Sequence, residues 1–215
     1  MEAMTTPQEP TAATPRRLDP VEFTDPVLTA MKNRRSVSKV GPETPTDAQL
    51  RDLLAAVTPV ADHKALRPWR LMTLRGDDCL GLAEALDEAE GTVRPAGEVN
   101  PKPFRAELLI AVIADHIEHP KVPQWEQHAT AAGAAHLLEL ALWQAGWGVM
   151  WRTGPNANAE PIRRFHGLKD SELMMGWLYV GSVDAEFHER LASSHRRPLD
   201  PDVFLDTRQG WSSRL

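Results

Sequence analysis

Seven consecutive apolar residues, "LLIAVIA" at 108–114, constrain this chain more than any other stretch. Successive side chains of a strand point to opposite faces, so a run without a polar position must be covered on both sides. The run therefore predicts the central strand of a sheet with helices packed on each face. It is far too short to cross a bilayer as a helix, which takes about 20 residues.

The flanking sequence supplies the remaining elements. "PWRLMTLR" (68–75), "WGVMWR" (147–152) and "MMGWLYVG" (174–181) read as further strands. Thr24 caps a first helix with Pro26 in its opening turn, and Val27, Leu28 and Met31 lie along one side of it. "TDAQ" (46–49) has the capping-box pattern and precedes Leu50, Leu53, Leu54 and Val57 at helical spacing. "DDCLGLAEALDEAEG" (77–91) reads as a helix, and "AEPIRRFHG" (159–167) as a shorter one with Pro161 early and Gly167 closing it. The longest helix spans 124–146 and stops at Gly146; its Ala-rich part, 129–135, allows close approach of another helix within the monomer or across a dimer. The stretch from 91 to 105 is a Pro- and Gly-containing loop of a length that often covers a site.

Helices and strands alternate at unequal spacing without an internal repeat, which gives an α+β or three-layer architecture. Residues 1–22 are poor in large apolar side chains and read as a loose arm, residues 23–184 as a single domain. Residues 185–215 are polar without clear periodicity and read as an extended tail that needs another surface to lie on.

Charge and motifs remove several function classes. With 24 Lys plus Arg against 30 Asp plus Glu, the net charge of −6 disfavours a nucleic-acid surface. The single Cys79 cannot form an intramolecular disulfide, and the start of the chain has no apolar secretion signal, so a soluble, cytoplasmic protein without a membrane partner is expected. "GWGVMW" follows a helix and precedes a strand, the reverse of a dinucleotide fingerprint. Phosphate-loop, esterase and zinc-protease motifs are absent. His116 and His119 lie in a Pro-flanked loop without a cysteine, and His128 and His136 stand eight residues apart, so no metal site is expected.

"RRSVSK" (34–39) packs three cations and two hydroxyls directly after the first helix. Basic residues there can complement the helix dipole, or they can cradle an anion. Its company is "DHKALRPWRL" (62–71), "HPKVPQWEQ" (119–127) and "GWGVMWRTG" (146–154). In this order and spacing, over roughly residues 27–183, the chain resembles the nitroreductase family of FMN-dependent flavoenzymes, most closely its smallest bacterial members.

The resemblance implies an α+β, three-layer nitroreductase-like fold, with a central mixed but mostly antiparallel sheet and helices on both faces. It implies that Arg34, Arg35 and Ser36 hold the FMN phosphate and ribityl chain, a match to the guanidinium preference for phosphate. It gives His63 a further flavin contact, and Trp151, Arg152 and Thr153 a later one, although Trp151 is also a natural core residue. It implies a homodimer with FMN between subunits and the tail of 185–215 wrapped on the partner. The implied activity passes a hydride from NAD(P)H to flavin N5 and onward to an electron-poor small molecule such as a nitroaromatic or quinone, with no side-chain nucleophile. The alternative is a protein that binds or sequesters FMN with little turnover. Two positions depart from the family pattern. Ser38 stands where an Arg or Lys is usual, leaving Lys39, His63 or Arg152 to face flavin N1 and O2, and Arg67 stands where a Gln is common.

Overall fold

The strand β2 (Leu108–Asp115) lies between β1 (Trp69–Leu74) and β4 (Glu172–Gly181), and β3 (Gly148–Arg152) pairs with the far edge of β4. These assignments come from a computed structural model that describes residues 26–193 and 200–205. Residues 108–114 are each at most 2% exposed, the consequence of two separate cores meeting on one strand. Leu109, Ala111 and Ile113 join Leu82 and Leu86 of α3 (Asp77–Glu90) and Ile162 of α5 (Glu160–Phe165). Leu108, Ile110 and Val112 join Val57 of α2 (Asp47–Val57) and Leu138 and Leu142 of α4 (Gln124–Gln144). Full burial of one such side chain contributes about 1.5–3 kcal/mol, so the two faces hold the layers together independently.

All three strand pairings are antiparallel, so the mixed character expected of the sheet is not found among the described residues. The capping box holds α2 as expected: Thr46 N–H donates to Gln49 Oε1 at 2.8 Å, and Gln49 N–H returns to Thr46 Oγ1 at 3.3 Å. In α4, Ala131, Ala134 and Ala135 are buried within this chain, so the close approach offered by its small residues is used inside the monomer. The loop from 91 to 105 is pinned to α3 by Arg94 and Asn100, which both donate to Asp87, and ends in a single 3-10 turn at Pro103–Arg105.

The β2–β4 register slips between Val112 and Ile113, where Met175 is an extra residue on β4. Met174 and Trp177 consequently face the same core although three residues apart. Gly176 sits in this bulge at φ +111°, and a Cβ there would collide with the Arg152 carbonyl oxygen. The bulge thus fits β4 against the segment where β3 leaves the sheet.

The C-terminal segment corrects an expectation. Rather than extended, it is helical over α6 (Ala185–Ser193), where Asp184 Oδ1 accepts the Phe187 N–H at 2.6 Å and Arg190 lies over the Phe187 ring. A 3-10 turn follows at Pro201–Val203. The expected arm at 1–22, the Thr24 cap and the end of the tail fall outside the described residues. No helix among the described residues is long and apolar enough to cross a membrane.

Candidate functional site

The first helix, α1 (Pro26–Asn33), ends where Arg34 N–H bonds Ala30 O, and the chain then passes along the edge of β3 that no strand among the described residues covers. Val37 fixes this course: its side chain is buried and its N–H pairs with Val149 O at 2.9 Å. The two arginines before it behave differently. Arg35 Nη1 folds back to Lys32 O (2.8 Å) and Arg34 O (3.1 Å), meeting carbonyls that the helix end leaves open. Arg34 does not cap the helix; its Nη1 is buried and has no hydrogen-bond partner. Ser36 is exposed beside them.

Arg152 reaches the same segment from β3, donating from Nη2 to Ser38 O at 3.1 Å. Its Nε is also buried without a partner. Among the described residues, these two guanidinium nitrogens are the buried side-chain polar atoms left unsatisfied. An orphaned buried donor costs about 1–3 kcal/mol, so each position fits an acceptor-rich group supplied from outside the fold. A phosphate or a flavin edge satisfies that requirement, and FMN therefore fits the donor set.

Trp151 takes the packing role that is the alternative to a flavin contact. Its indole N–H donates to Met175 O in the bulge (3.0 Å), and its ring meets His136 of α4 edge-on at 5.1 Å. The side chain is spent on packing, and it holds Arg152 and the exposed Thr153 at the sheet rim. On the opposite face, Arg152 lies 5.3 Å over the Tyr179 ring and borders a cavity of about 530 Å³ that Thr153, Lys102 and Arg105 also line. Burial pushes the Tyr179 hydroxyl up, against the opposing pull of Arg152 and Arg105. Trp177, another wall residue, donates its indole N–H to His166 Nε2 at 3.1 Å. His166 Nδ1 then donates to Ile162 O at 2.9 Å, and burial holds this imidazole below its ordinary pKa, in the neutral form.

His63 stands elsewhere. Its Nδ1 lies 2.9 Å from Glu126 Oε1 in the first turn of α4, whereas α1 packs by Val27 and Ala30 near Leu137 and Ala141 in the last turns. Glu126 and Ala141 are about 22 Å apart along the helix axis at 1.5 Å per residue. One chain therefore does not bring His63 together with Arg34. The backbone after His63 is strained, with Lys64, Ala65 and Arg67 at φ 67°, 51° and 54°. The Asp62 carboxylate holds it there by accepting the N–H groups of Leu66 and Arg67 at 3.1 and 2.7 Å. Such conformations cost about 1 kcal/mol or more each and cluster at ligand clamps. In "HPKVPQWEQ" the last residue, Gln127, is buried and ties Ile117 and Val122 to α4, which explains part of that segment's distinctiveness.

Sequence reasoning missed Lys102 and Arg105 as site residues. The only signal was the loop length, because neither residue sits in a recognisable motif.

Sheet, covering helices and an edge rim with orphaned guanidinium donors define a three-layer α+β protein. The sequence profile of the nitroreductase family matches residues 31–182, and the chain belongs to that family. It is 31% identical over 182 residues to YdjA of Escherichia coli (strain K12), whose name provisionally assigns it as an NAD(P)H nitroreductase, covering 83% of this chain and 97% of that protein. Its fold matches the nitroreductase-like family protein of Bacillus cereus with a TM-score of 0.70 at 18% identity, over 89% of this chain and all of the other. A nitroreductase-type protein from Desulfovibrio desulfuricans, solved in complex with FMN, matches with a TM-score of 0.63 at 23% identity, over 85% of this chain and 97% of that one.

Proposed function

We propose that this protein passes a hydride from NAD(P)H through FMN to an electron-poor small molecule, a nitroaromatic or a quinone. It is an NAD(P)H-dependent, nitroreductase-like oxidoreductase with FMN as its cofactor. The observation that carries the reading is the pair of orphaned donors, Arg34 Nη1 and Arg152 Nε, on adjoining segments. For a nitroaromatic the overall balance is NAD(P)H, a proton and the nitro compound giving NAD(P)⁺, the nitroso compound and water.

Bound FMN supplies a centre, N5, that accepts and returns a hydride; the protein's part is binding, orientation and electrostatics. Arg34, with Arg35 and Ser36 beside it, would hold the phosphate by charge-assisted hydrogen bonds. Thr153 and Arg152 would meet the flavin edge, with Trp151 fixing their position through its bond to Met175. Lys39, Arg152 or His63 would supply the cation that Ser38 cannot.

The separation of His63 from Arg34 supports a homodimer, in which His63 of one subunit serves the flavin held by Arg34 of the other. Exposed apolar side chains on α1 and α4 support it as well: Val27, Met31, Trp125 and Leu137 are 59%, 57%, 70% and 41% exposed. The segment from 185 onward is a candidate to lie on the partner. The test is direct. The purified protein should be yellow, should bleach with NAD(P)H in the absence of air, and should regain colour when a nitroaromatic is added. A yellow protein that NAD(P)H does not bleach would instead be an FMN-sequestering protein, and a colourless one that ignores added FMN would overturn both readings.

A further inference from the structure

The loop from 91 to 105 and the end of β3 enclose a cavity whose charge runs against that of the whole chain. Its volume, about 530 Å³, lies in the range that takes small organic ligands. Leu86, Met150, Trp177 and Tyr179 give it apolar and aromatic walls. Three cations line it, and they are not equivalent. Lys102 is paired with Glu90, so that acid does not oppose a bound anion. Arg105 and Arg152 have no carboxylate partner among the described residues, although the chain carries six more acidic than basic groups. Arg152 lies 5.3 Å over the Tyr179 ring of the cavity wall, and Arg105 lines the same cavity.

We propose that this cavity seats an aromatic anion, a ring bearing a carboxylate or phosphate, as the electron acceptor. The ring would lie among Trp177, Tyr179 and Met150, where stacking and burial favour it, and the anionic group would meet the forks of Arg105 and Arg152. A neutral ring of the same size gains only the first of these. The inference rests on the reading that Trp151, Arg152 and Thr153 border the flavin, and it adds the chemical class of the acceptor.

The test is calorimetric titration of the FMN-loaded protein with 4-nitrobenzoate, 4-nitrophenyl phosphate and the neutral 4-nitrobenzyl alcohol. At least one of the anions should bind about tenfold tighter than the alcohol, and the tighter of the two identifies the anionic group. Arg105→Gln should erase that preference while the affinities for the alcohol and for FMN stay unchanged. Arg105→Lys, which keeps the charge without the fork, should retain part of it and guards against a variant that merely folds poorly. Equal binding of the anions and the alcohol, or a preference that survives Arg105→Gln, would overturn the proposal. So would a variant that loses FMN more than riboflavin, because the cavity would then hold the cofactor phosphate. A protein that takes up no FMN yet keeps the anion preference would overturn the flavin reading and leave the anion site standing.

Discussion

Arg70 at the start of β1 lays its guanidinium fork on Glu172, with Nε and Nη2 at 2.5 and 2.9 Å from the two carboxylate oxygens, whereas Arg34 and Arg152 at the β3 edge meet no carboxylate among the described residues. Glu172 is buried and also accepts the Lys169 N–H at 2.9 Å. The hydrogen bond from Arg70 holds its carboxyl below the usual range in spite of burial. The sheet thus completes one half-buried arginine with its own acid and leaves two others incomplete. Chemically similar residues, placed in one small fold, separate into one that the fold satisfies and two whose buried donors it leaves open.

The largest effect is expected at the closed Arg70–Glu172 pair. Arg70→Ala leaves the Glu172 carboxylate buried without its partner and should cost about 3–5 kcal/mol by urea unfolding. FMN affinity of the folded fraction should not change; a large loss of affinity would mean that the two regions are coupled. Gly176→Ala touches both regions through the bulge. It should cost about 1–3 kcal/mol from the positive φ alone, and the collision with the Arg152 carbonyl should lower FMN affinity as well. A variant as stable as the parent would refute the account of the bulge.

Acid should expose the closed region in two stages. Burial holds His166 below its ordinary 6.5, so the unfolded chain binds a proton that the folded chain refuses. Stability from this source is complete above pH 6.5 and is lost as pH falls toward the folded value. Glu172, depressed by Arg70 from its ordinary 4.5, adds a second loss that begins below that pH. The urea midpoint should therefore be flat above about pH 7 and fall on acidification, and His166→Gln should remove the first stage. The smallest effect belongs to the exposed His63–Glu126 pair. Glu126→Gln should cost no more than about 1 kcal/mol of stability. If His63 serves a partner's flavin, its effect on FMN affinity should exceed its effect on folding.

What the sequence disclosed follows the same division. "LLIAVIA" announced a doubly covered strand because periodicity is a local signal, and Thr46 with Gln49 announced a helix start for the same reason. The nine residues of α6 passed unnoticed because the helix is polar, although Asp184 ahead of "AEF" was a usable cap signal. At the candidate site, "RRSVSK" drew attention to the β3 edge but did not distinguish Arg35, which closes a helix end, from Arg34, which does not. That distinction depends on where Val37 docks against Val149, a contact 112 residues away in sequence. Lys102 and Arg105 were silent for the same reason: only the folded loop brings them to the end of β3.

If Arg34 holds the FMN phosphate while Arg35 serves the helix end, fluorescence titration with FMN and riboflavin separates the two arginines most directly. Arg34→Ala should weaken FMN about ten- to a hundredfold, the worth of a charge-assisted bond of about 1.5–3 kcal/mol, and should weaken riboflavin far less. Arg35→Ala should show the larger loss of stability, about 0.3–1 kcal/mol, and the smaller loss of FMN. Equal weakening of FMN and riboflavin by Arg34→Ala, or of neither, would contradict the assignment and place the phosphate elsewhere.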